Sequence, residues 1–381
     1  MCAKQTRSGK HVASLVEDNL LRLHDPASGV VMKSVNSKIA GKMAIGRGTL
    51  AVQYCEQDNF GDGENGWFYG VLLVNDETLE PITKLMGHLA EVWDIALSTD
   101  MSTVVSGSGD KTVCIWARNG EGEFVCEKVL RDNGVVYAVD ISPNDELLAF
   151  GGSDTNIWVY TLADVTALLY ATLEGHIQDV NSISFSPDST ILCSGSSDKS
   201  LRLWRVVDRV QIISLDNAHG ECINAVVYSP LGGLIASCSD DSTIKVWSKL
   251  LELKHVIEFS DIIHNWTLSV SFSTCGTHLL STHGKYPGNR HTIISTPTPS
   301  FKTYNTVVIP TILLLKQNFI PWGDNRVTLY ENKQEVPTFE SALELCGYLI
   351  THELQGILVE VFAYAFGVKI LYQPKKPGKQ S

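Results

Sequence analysis

The chain has 381 residues, 44% hydrophobic and 19% charged, a globular composition large enough for one big domain or two ordinary ones. Its formal net charge of −12 argues against broad nucleic-acid binding, which needs clustered Lys and Arg, and against adhesion to an anionic membrane. Cys2, Cys55, Cys114, Cys126, Cys193, Cys222, Cys238, Cys275 and Cys346 form no C-x-x-C pair, so zinc and redox spacings are absent. They read as small buried thiols in a reducing compartment.

Residues 1–10 lack the apolar stretch of a signal peptide and are expected to be disordered. In HVASLVEDNLLRLHDPASG (11–29), Asp18 and His24 stand four and ten residues after Ser14, a spacing that returns downstream. Residues 37–85 read as a divergent unit with an insertion around GDGENG at 61–66.

From Gly87 the chain reads GHLAEVWDIALSTDMSTVVSGSGDKTVCIW. At an offset of 88 residues it reads GHIQDVNSISFSPDSTILCSGSSDKSLRLW, and 43 further on AHGECINAVVYSPLGGLIASCSDDSTIKVW. A weaker copy, RDNGVVYAVDISPNDELLAFGGSDTNIWVY, lies between the first two at an offset of 44. A period of 43 to 44 is that of a propeller blade. Each copy breaks into short apolar stretches separated by turn residues, such as Val92 to Leu97, Thr103 to Ser106 and Thr112 to Trp116, with Phe124 to Leu130 as a fourth. Four antiparallel strands cannot bury both faces alone, and radial stacking of units solves that.

Four residues recur at fixed spacing: His88, Ser106, Asp110 and Trp116; His176, Ser194, Asp198 and Trp204; His219, Ser237, Asp241 and Trp247. In each set the Ser, Asp and Trp follow the His by 18, 22 and 28 residues. The weaker copy has Asp132, Phe150, Asp154 and Tyr160 at these positions, so its unit is expected to hold by packing alone. Residues 260–300 read as one more unit. That gives seven units from about residue 11, the first lacking its first strand, with Tyr304 to Leu315 the candidate to supply it. A count of eight takes 303–340 as a further blade, because Asp324 and Tyr330 repeat the Asp-to-Trp spacing; seven is favoured.

Ala342, Leu345, Leu349 and Leu354 carry a helical signal within 341–372, and 373–381 is a basic, disordered tail. The apolar region 342–372 is broken by Glu344, His352, Glu353 and Glu360, so it reads as buried or amphipathic helix and not as a membrane span. The organisation expected is therefore a disordered 1–10, an all-β propeller over 11–315, a divergent strand/helix region over 316–372 and the tail.

The three full sets resemble the WD-repeat family of β-propellers. The resemblance implies that Trp, Ser, His and Asp in each set form a buried hydrogen-bond chain. Any of these groups buried alone costs on the order of 1–3 kcal/mol, and satisfied together they stiffen a blade. It also implies that residues three and five after the blade His face the rim of a central channel where partners dock. Carried over, these are Glu91 and Trp93, Asp179 and Asn181, and Cys222 and Asn224, with Val135 and Tyr137 aligned through Asp132. Exposed Trp and Tyr dominate interface energies, and flanking acids favour a basic partner segment.

A Ser-His-Asp hydrolase reading fails, because the set repeats with a Trp attached where a single cleft would suffice. G-x-G-x-x-G after a strand, G-x-x-x-x-G-K-[ST] and H-E-x-x-H are absent. His278, His283 and His291, with Lys285 and Arg290, read as a solvated loop in preference to a metal site. The paired arginines of phosphoinositide-binding propellers and the Trp-Asp-x-Arg of ubiquitin-ligase adaptors are also missing. The expectation is an intracellular, cytoplasmic or nuclear, non-enzymatic scaffold or adaptor. It needs no cofactor or metal and works in a multiprotein complex through a basic or aromatic-containing partner segment. The alternatives are a regulatory subunit of a nucleic-acid-associated or ubiquitin-ligase complex, and an enzyme with a site in the central channel.

Overall fold

The repeat dictates the architecture: each apolar stretch pairs with the next as an antiparallel strand, and each four-strand unit buries its faces on its neighbours. A computed structural model describes residues 2–297 apart from 16–19, 27–29, 37–41, 60–64, 163–166, 259–265 and 286–287, and beyond 297 the strand segments 315–316, 330–331, 334–335, 359–363 and 368–372.

Sheet 1 comprises β1 (Cys2–Gln5), β2 (Val12–Leu15), β3 (Leu20–His24) and β4 (Val31–Asn36). Sheet 2 comprises β5 (Met43–Ile45), β6 (Thr49–Asn59), β7 (Asn65–Asn75) and β8 (Pro81–His88). Sheet 3 holds β9 (Val92–Leu97), β10 (Thr103–Ser108), β11 (Thr112–Arg118) and β12 (Phe124–Arg131). Sheet 4 holds β13 (Val136–Ile141), β14 (Leu147–Gly152), β15 (Ile157–Thr161) and β16 (Leu169–Leu173). Sheet 5 runs β17 (Val180–Phe185), β18 (Ile191–Ser196), β19 (Leu201–Arg205) and β20 (Val210–Leu215). Sheet 6 runs β21 (Ile223–Tyr228), β22 (Leu234–Ser239), β23 (Thr243–Ser248) and β24 (Leu253–Glu258). These six sheets are complete. A seventh has β25 (Trp266–Phe272), β26 (His278–Lys285) and β27 (Gly288–Pro297), with only Leu315–Lys316 (β28) as its fourth strand.

The core lies between sheets, as radial stacking requires. Ala149, Ile157 and Leu173 of sheet 4, for example, pack with Phe185, Leu192 and Trp204 of sheet 5. Second strands are therefore almost wholly buried and fourth strands mostly exposed, as β18 and β20 show. Gly195 on β18 is one consequence. A Cβ built there would meet Cγ2 of Ile223, on the next sheet, at 2.6 Å. Neighbouring first strands are also tied by side chains: Asp94 Oδ2 accepts Val139 N–H at 3.1 Å and Asp140 Oδ2 accepts Phe185 N–H at 2.7 Å. Burial pushes the Asp140 carboxyl up to about 7.

The chain ends depart from expectation. Cys2–Gln5 is a strand, fully paired with Val12–Leu15, and not a disordered leader. The first sheet thus has its own first strand and borrows none. Leu315–Lys316 pairs instead with Thr292 and Ile293 of sheet 7, while 304–314 lies outside the described residues. Sheets 1 and 7 meet through β1 against β25, where Ser271 Oγ donates to Ala3 O at 2.9 Å and Thr274 N–H donates to Gln5 Oε1 at 3.1 Å. Among the described residues, ring closure rests on packing and these side-chain bonds, with no shared strand.

In place of helix, Val359–Ala363 (β31) and Val368–Tyr372 (β32) form a hairpin, as Tyr330–Glu331 (β29) and Gln334–Glu335 (β30) do before them. Ala342, Leu345, Leu349, Leu354, Asp324 and 373–381 lie outside the described residues. Cys2, Cys55, Cys114, Cys193 and Cys238 are buried, but Cys126 and Cys275 are exposed, against the expectation for all nine. His283 is also corrected: it sits in β26, fully buried between Thr267 Oγ1 (3.2 Å) and Ser281 Oγ (2.8 Å), and no loop carries it. Burial drives its pKa down to about 4. Among the described residues no group of His, Cys, Asp and Glu has metal-site geometry.

Candidate partner-binding face

Each repeated set closes into the chain that the resemblance implied. In the set on sheet 5, Trp204 Nε1 donates to Ser194 Oγ at 2.8 Å, Ser194 Oγ meets His176 Nε2 at 2.7 Å, and His176 Nδ1 meets Asp198 Oδ2 at 2.8 Å. The corresponding distances are 2.9, 2.8 and 3.0 Å around His88, and 2.8, 2.7 and 2.9 Å around His219. Burial alone would raise the Asp198 carboxyl. Hydrogen bonds from His176 and Ser200 outweigh it and hold the pKa well below the ordinary range. His176 and His219 are pushed down by burial, partly opposed by their Asp partners, so each ring is the neutral link of its chain.

The geometry adds something the spacing did not reveal. His88 ends β8, in sheet 2, whereas Ser106, Asp110 and Trp116 belong to sheet 3. Each chain therefore fastens the crossover from one sheet to the next one along. The Asp also takes a backbone N–H after the His, at 2.8 Å for Leu89 and Asp110. Its other oxygen caps the turn that places Lys111 at φ +66°, and Lys199 and Ser242 repeat this at +69° and +66°. A side chain that satisfies the local N–H groups makes this left-handed backbone tolerable without glycine.

Weaker blades use substitutes. Ser14 Oγ meets His24 Nε2 at 2.7 Å, His24 standing where Trp stands elsewhere; Asp18 lies outside the described residues. In sheet 4, Phe150 and Tyr160 stack at 5.6 Å in place of the Ser–Trp bond. Packing is not the whole support there, since Trp158 Nε1 donates to Asp154 Oδ2 at 2.7 Å. Burial, then the carboxyl of Asp154, push Asp132 up to about 7, and its buried Oδ2 has no hydrogen-bond partner.

The crossovers place the expected rim residues on one face. Glu91 is exposed, Trp93 is 45% exposed, and Tyr137 lies half-buried against Trp93, rings 5.8 Å apart and nearly perpendicular at 79°. The pair spans two sheets. Burial, then the charge of Asp179, raise the Tyr137 phenol, so that carboxylate lies nearby. The asparagines are committed inward. Asn181 Nδ2 donates to Ser197 Oγ and to Ile223 O, each at 2.9 Å, and Asn224 Nδ2 donates to Asp240 Oδ1 at 2.6 Å and Thr267 O at 3.0 Å. Val135 and Cys222 are half-buried beside them.

The comparisons with known proteins agree with this geometry. The WD domain, G-beta repeat family matches residues 79–117, 124–161, 168–205 and 210–248. The chain is a WD-repeat β-propeller. Each matched repeat begins in the outer strand of one sheet and ends in the third strand of the next, the same offset the hydrogen-bond chains span. Among curated proteins, it is 28% identical to "Pre-mRNA-processing factor 19 homolog 2" of Arabidopsis thaliana, over 37% of this chain and 27% of that protein. It is 33% identical to "Protein SPA1-RELATED 3" of Arabidopsis thaliana, over 32% and 14%, and 34% identical to "Elongator complex protein 2" of Saccharomyces cerevisiae, over 29% and 16%. The match thus spans about a quarter of the first of these relatives and about a seventh of the other two.

Several residues of this WD-repeat face were not singled out by sequence. Lys42, just before β5, sends its ammonium to Asp94 Oδ2 (3.3 Å), Tyr137 O (3.2 Å) and Asn181 O (3.3 Å). It braces rim backbone of sheets 4 and 5 against the Asp94 carboxylate of sheet 3. Trp266 is 41% exposed at the position of Cys222 plus 44, and adding the period would have found it. Tyr69 stands opposite His88 in the ladder, and Trp67 and Phe68 precede it, 51% and 39% exposed.

Proposed function

We propose that the protein is a non-enzymatic scaffold or adaptor that binds partner proteins on the rim built from Glu91, Trp93, Tyr137 and Asp179, within a multiprotein complex. The observation carrying this reading is the solvent-facing Trp93–Tyr137 pair beside two carboxylates. Large aromatics at the middle of a face are the side chains that dominate association energy, and carboxylates around them select a basic partner segment. Val135, Asn181, Cys222 and Asn224, half-buried like Tyr137, belong to the same proposed rim. An intracellular setting, cytoplasmic or nuclear, suits an assembly role; no helix among the described residues is long and apolar enough to cross a membrane.

Affinity purification of the whole chain with mass spectrometry identifies partners, and Trp93→Ala/Tyr137→Ala is then compared with wild type. The double variant should keep its melting temperature near wild type and lose partner capture. Capture that persists refutes the rim. The names of two relatives, a pre-mRNA-processing factor and an Elongator complex protein, favour one second reading, a subunit of a nucleic-acid-associated complex. Direct nucleic-acid contact would appear as binding at low salt that falls steeply as salt rises.

A further inference from the structure

The longest strands of the propeller are β6 and β7, eleven residues each where the corresponding strands of sheets 3–6 have five to seven. Their ladder continues from Cys55–Tyr69 to Asn59–Asn65, whereas β8 stops at His88, opposite Tyr69, and β5 reaches only Val52. The two strands therefore overshoot their sheet by four residues, about 14 Å at the rise of an extended strand. They do so on the face where His88 turns the chain toward Glu91. The Tyr69 phenol, raised first by burial, also feels the Glu91 carboxylate. The overshoot is an arm standing beside the rim, with Trp67 and Phe68 exposed on it.

Its composition is one-sided. From residue 48 to 83 the sequence has no Lys or Arg, and 53–70 contains Glu56, Asp58, Asp62 and Glu64 among five aromatic residues. Lys84 answers Glu56 at 2.8 Å. On the corresponding β10–β11 and β18–β19 turns, Lys111 donates to Asn133 O at 3.2 Å and Lys199 is paired with Glu221 at 3.1 Å. Exposed Trp67 and Phe68, on a hairpin whose sequence is acidic and next to a rim that carries the Glu91 and Asp179 carboxylates, suit cationic side chains, which gain from ring faces and from unlike charge together.

We propose that the β6–β7 arm is the second wall of the docking site and that the segment held between arm and rim is a Lys- or Arg-rich stretch of a partner protein. This rests on the rim reading above. The test measures fluorescence anisotropy of a labelled alternating Arg-Ser peptide against the full chain, with an alternating Glu-Ser peptide as control. The Arg-Ser peptide should bind, the Glu-Ser peptide should not, and Trp67→Ser/Phe68→Ser should weaken binding at least tenfold while removing no charge. Trp67→Phe should retain most of the affinity, and Trp67→Ser alone serves if the double variant loses its melting transition. Unchanged affinity in the arm variants, with loss in Trp93→Ala/Tyr137→Ala, overturns the arm and leaves the rim. Loss in the arm variants with an unaffected rim variant overturns the rim and the shared site. Equal binding of both peptides, or of neither, overturns the basic occupant.

Discussion

Ser194→Ala tests whether the buried chains hold the propeller or merely decorate it. Its hydroxyl accepts from Trp204 Nε1–H at 2.8 Å and, because His176 Nδ1–H is directed at Asp198, donates to His176 Nε2 at 2.7 Å. Alanine leaves both partners buried without a bond. Each stranded group costs roughly 1–3 kcal/mol, so a loss of about 2–4 kcal/mol is expected after allowing for non-additivity. That is a large share of the roughly 5–15 kcal/mol typical of folded domains. Trp204→Phe removes the donor from the same chain, so Ser194→Ala should cost about 1–2 kcal/mol less in that background. Urea unfolding of the four proteins of this cycle supplies the energies, and hydrogen exchange at the β18 and β19 amides locates the loss. A Ser194→Ala cost below about 0.5 kcal/mol, within the range of ordinary surface substitutions, or strictly additive effects, would refute the reasoning.

Asp132→Asn should stabilise the protein at pH 8 by about 1–2 kcal/mol, discounted for solvent screening of a half-buried group. Its carboxyl is raised to about 7, so the native state binds the extra proton; the stability this confers is present below the ordinary carboxyl pKa and is lost as pH rises through about 7. Urea midpoints from pH 4 to 8 should show wild type losing ground that the variant keeps. Gly195→Ala should cost about 1–3 kcal/mol, because the new methyl enters the space of the Ile223 Cγ2, and should cost less when measured in an Ile223→Ala background, which lacks that methyl, in thermal melts. Lys42→Met should cost about 1 kcal/mol and weaken partner capture several-fold, since the carbonyls of Tyr137 and Asn181 lose a shared donor; capture at wild-type strength would show that the rim keeps its shape without the brace.

What sequence could reveal follows from how far apart the interacting residues lie. The hydrogen-bond sets span 28 residues inside one repeat, and the chemistry of each member restricts what can replace it, so three copies sufficed to read both fold and chains. Lys42 was invisible because its partners are 52, 95 and 139 residues away. Cys2–Gln5 went unread as a strand because four mixed residues at a chain start carry no alternation; β25, on the neighbouring sheet 7, supplies the packing. Asn181 and Asn224 occupy rim positions by count, but their amides answer backbone of the next sheet, a demand that exists only after the sheets are stacked. The GDGENG stretch was legible as an insertion, and its effect, a ladder that outruns its sheet, was not.

The seat of β1 has a practical consequence for anyone handling this protein. Because Cys2 begins an innermost strand whose far end, at Gln5, meets the turn at Thr274, anything fused ahead of Cys2 emerges from the channel wall on the side of the rim. An amino-terminal purification tag would then share space with the surface under test, and a negative capture result could reflect the tag alone. A label inserted at an outer-strand turn such as Asn119–Gly122, at the opposite end of β11 from Lys111, leaves that side clear.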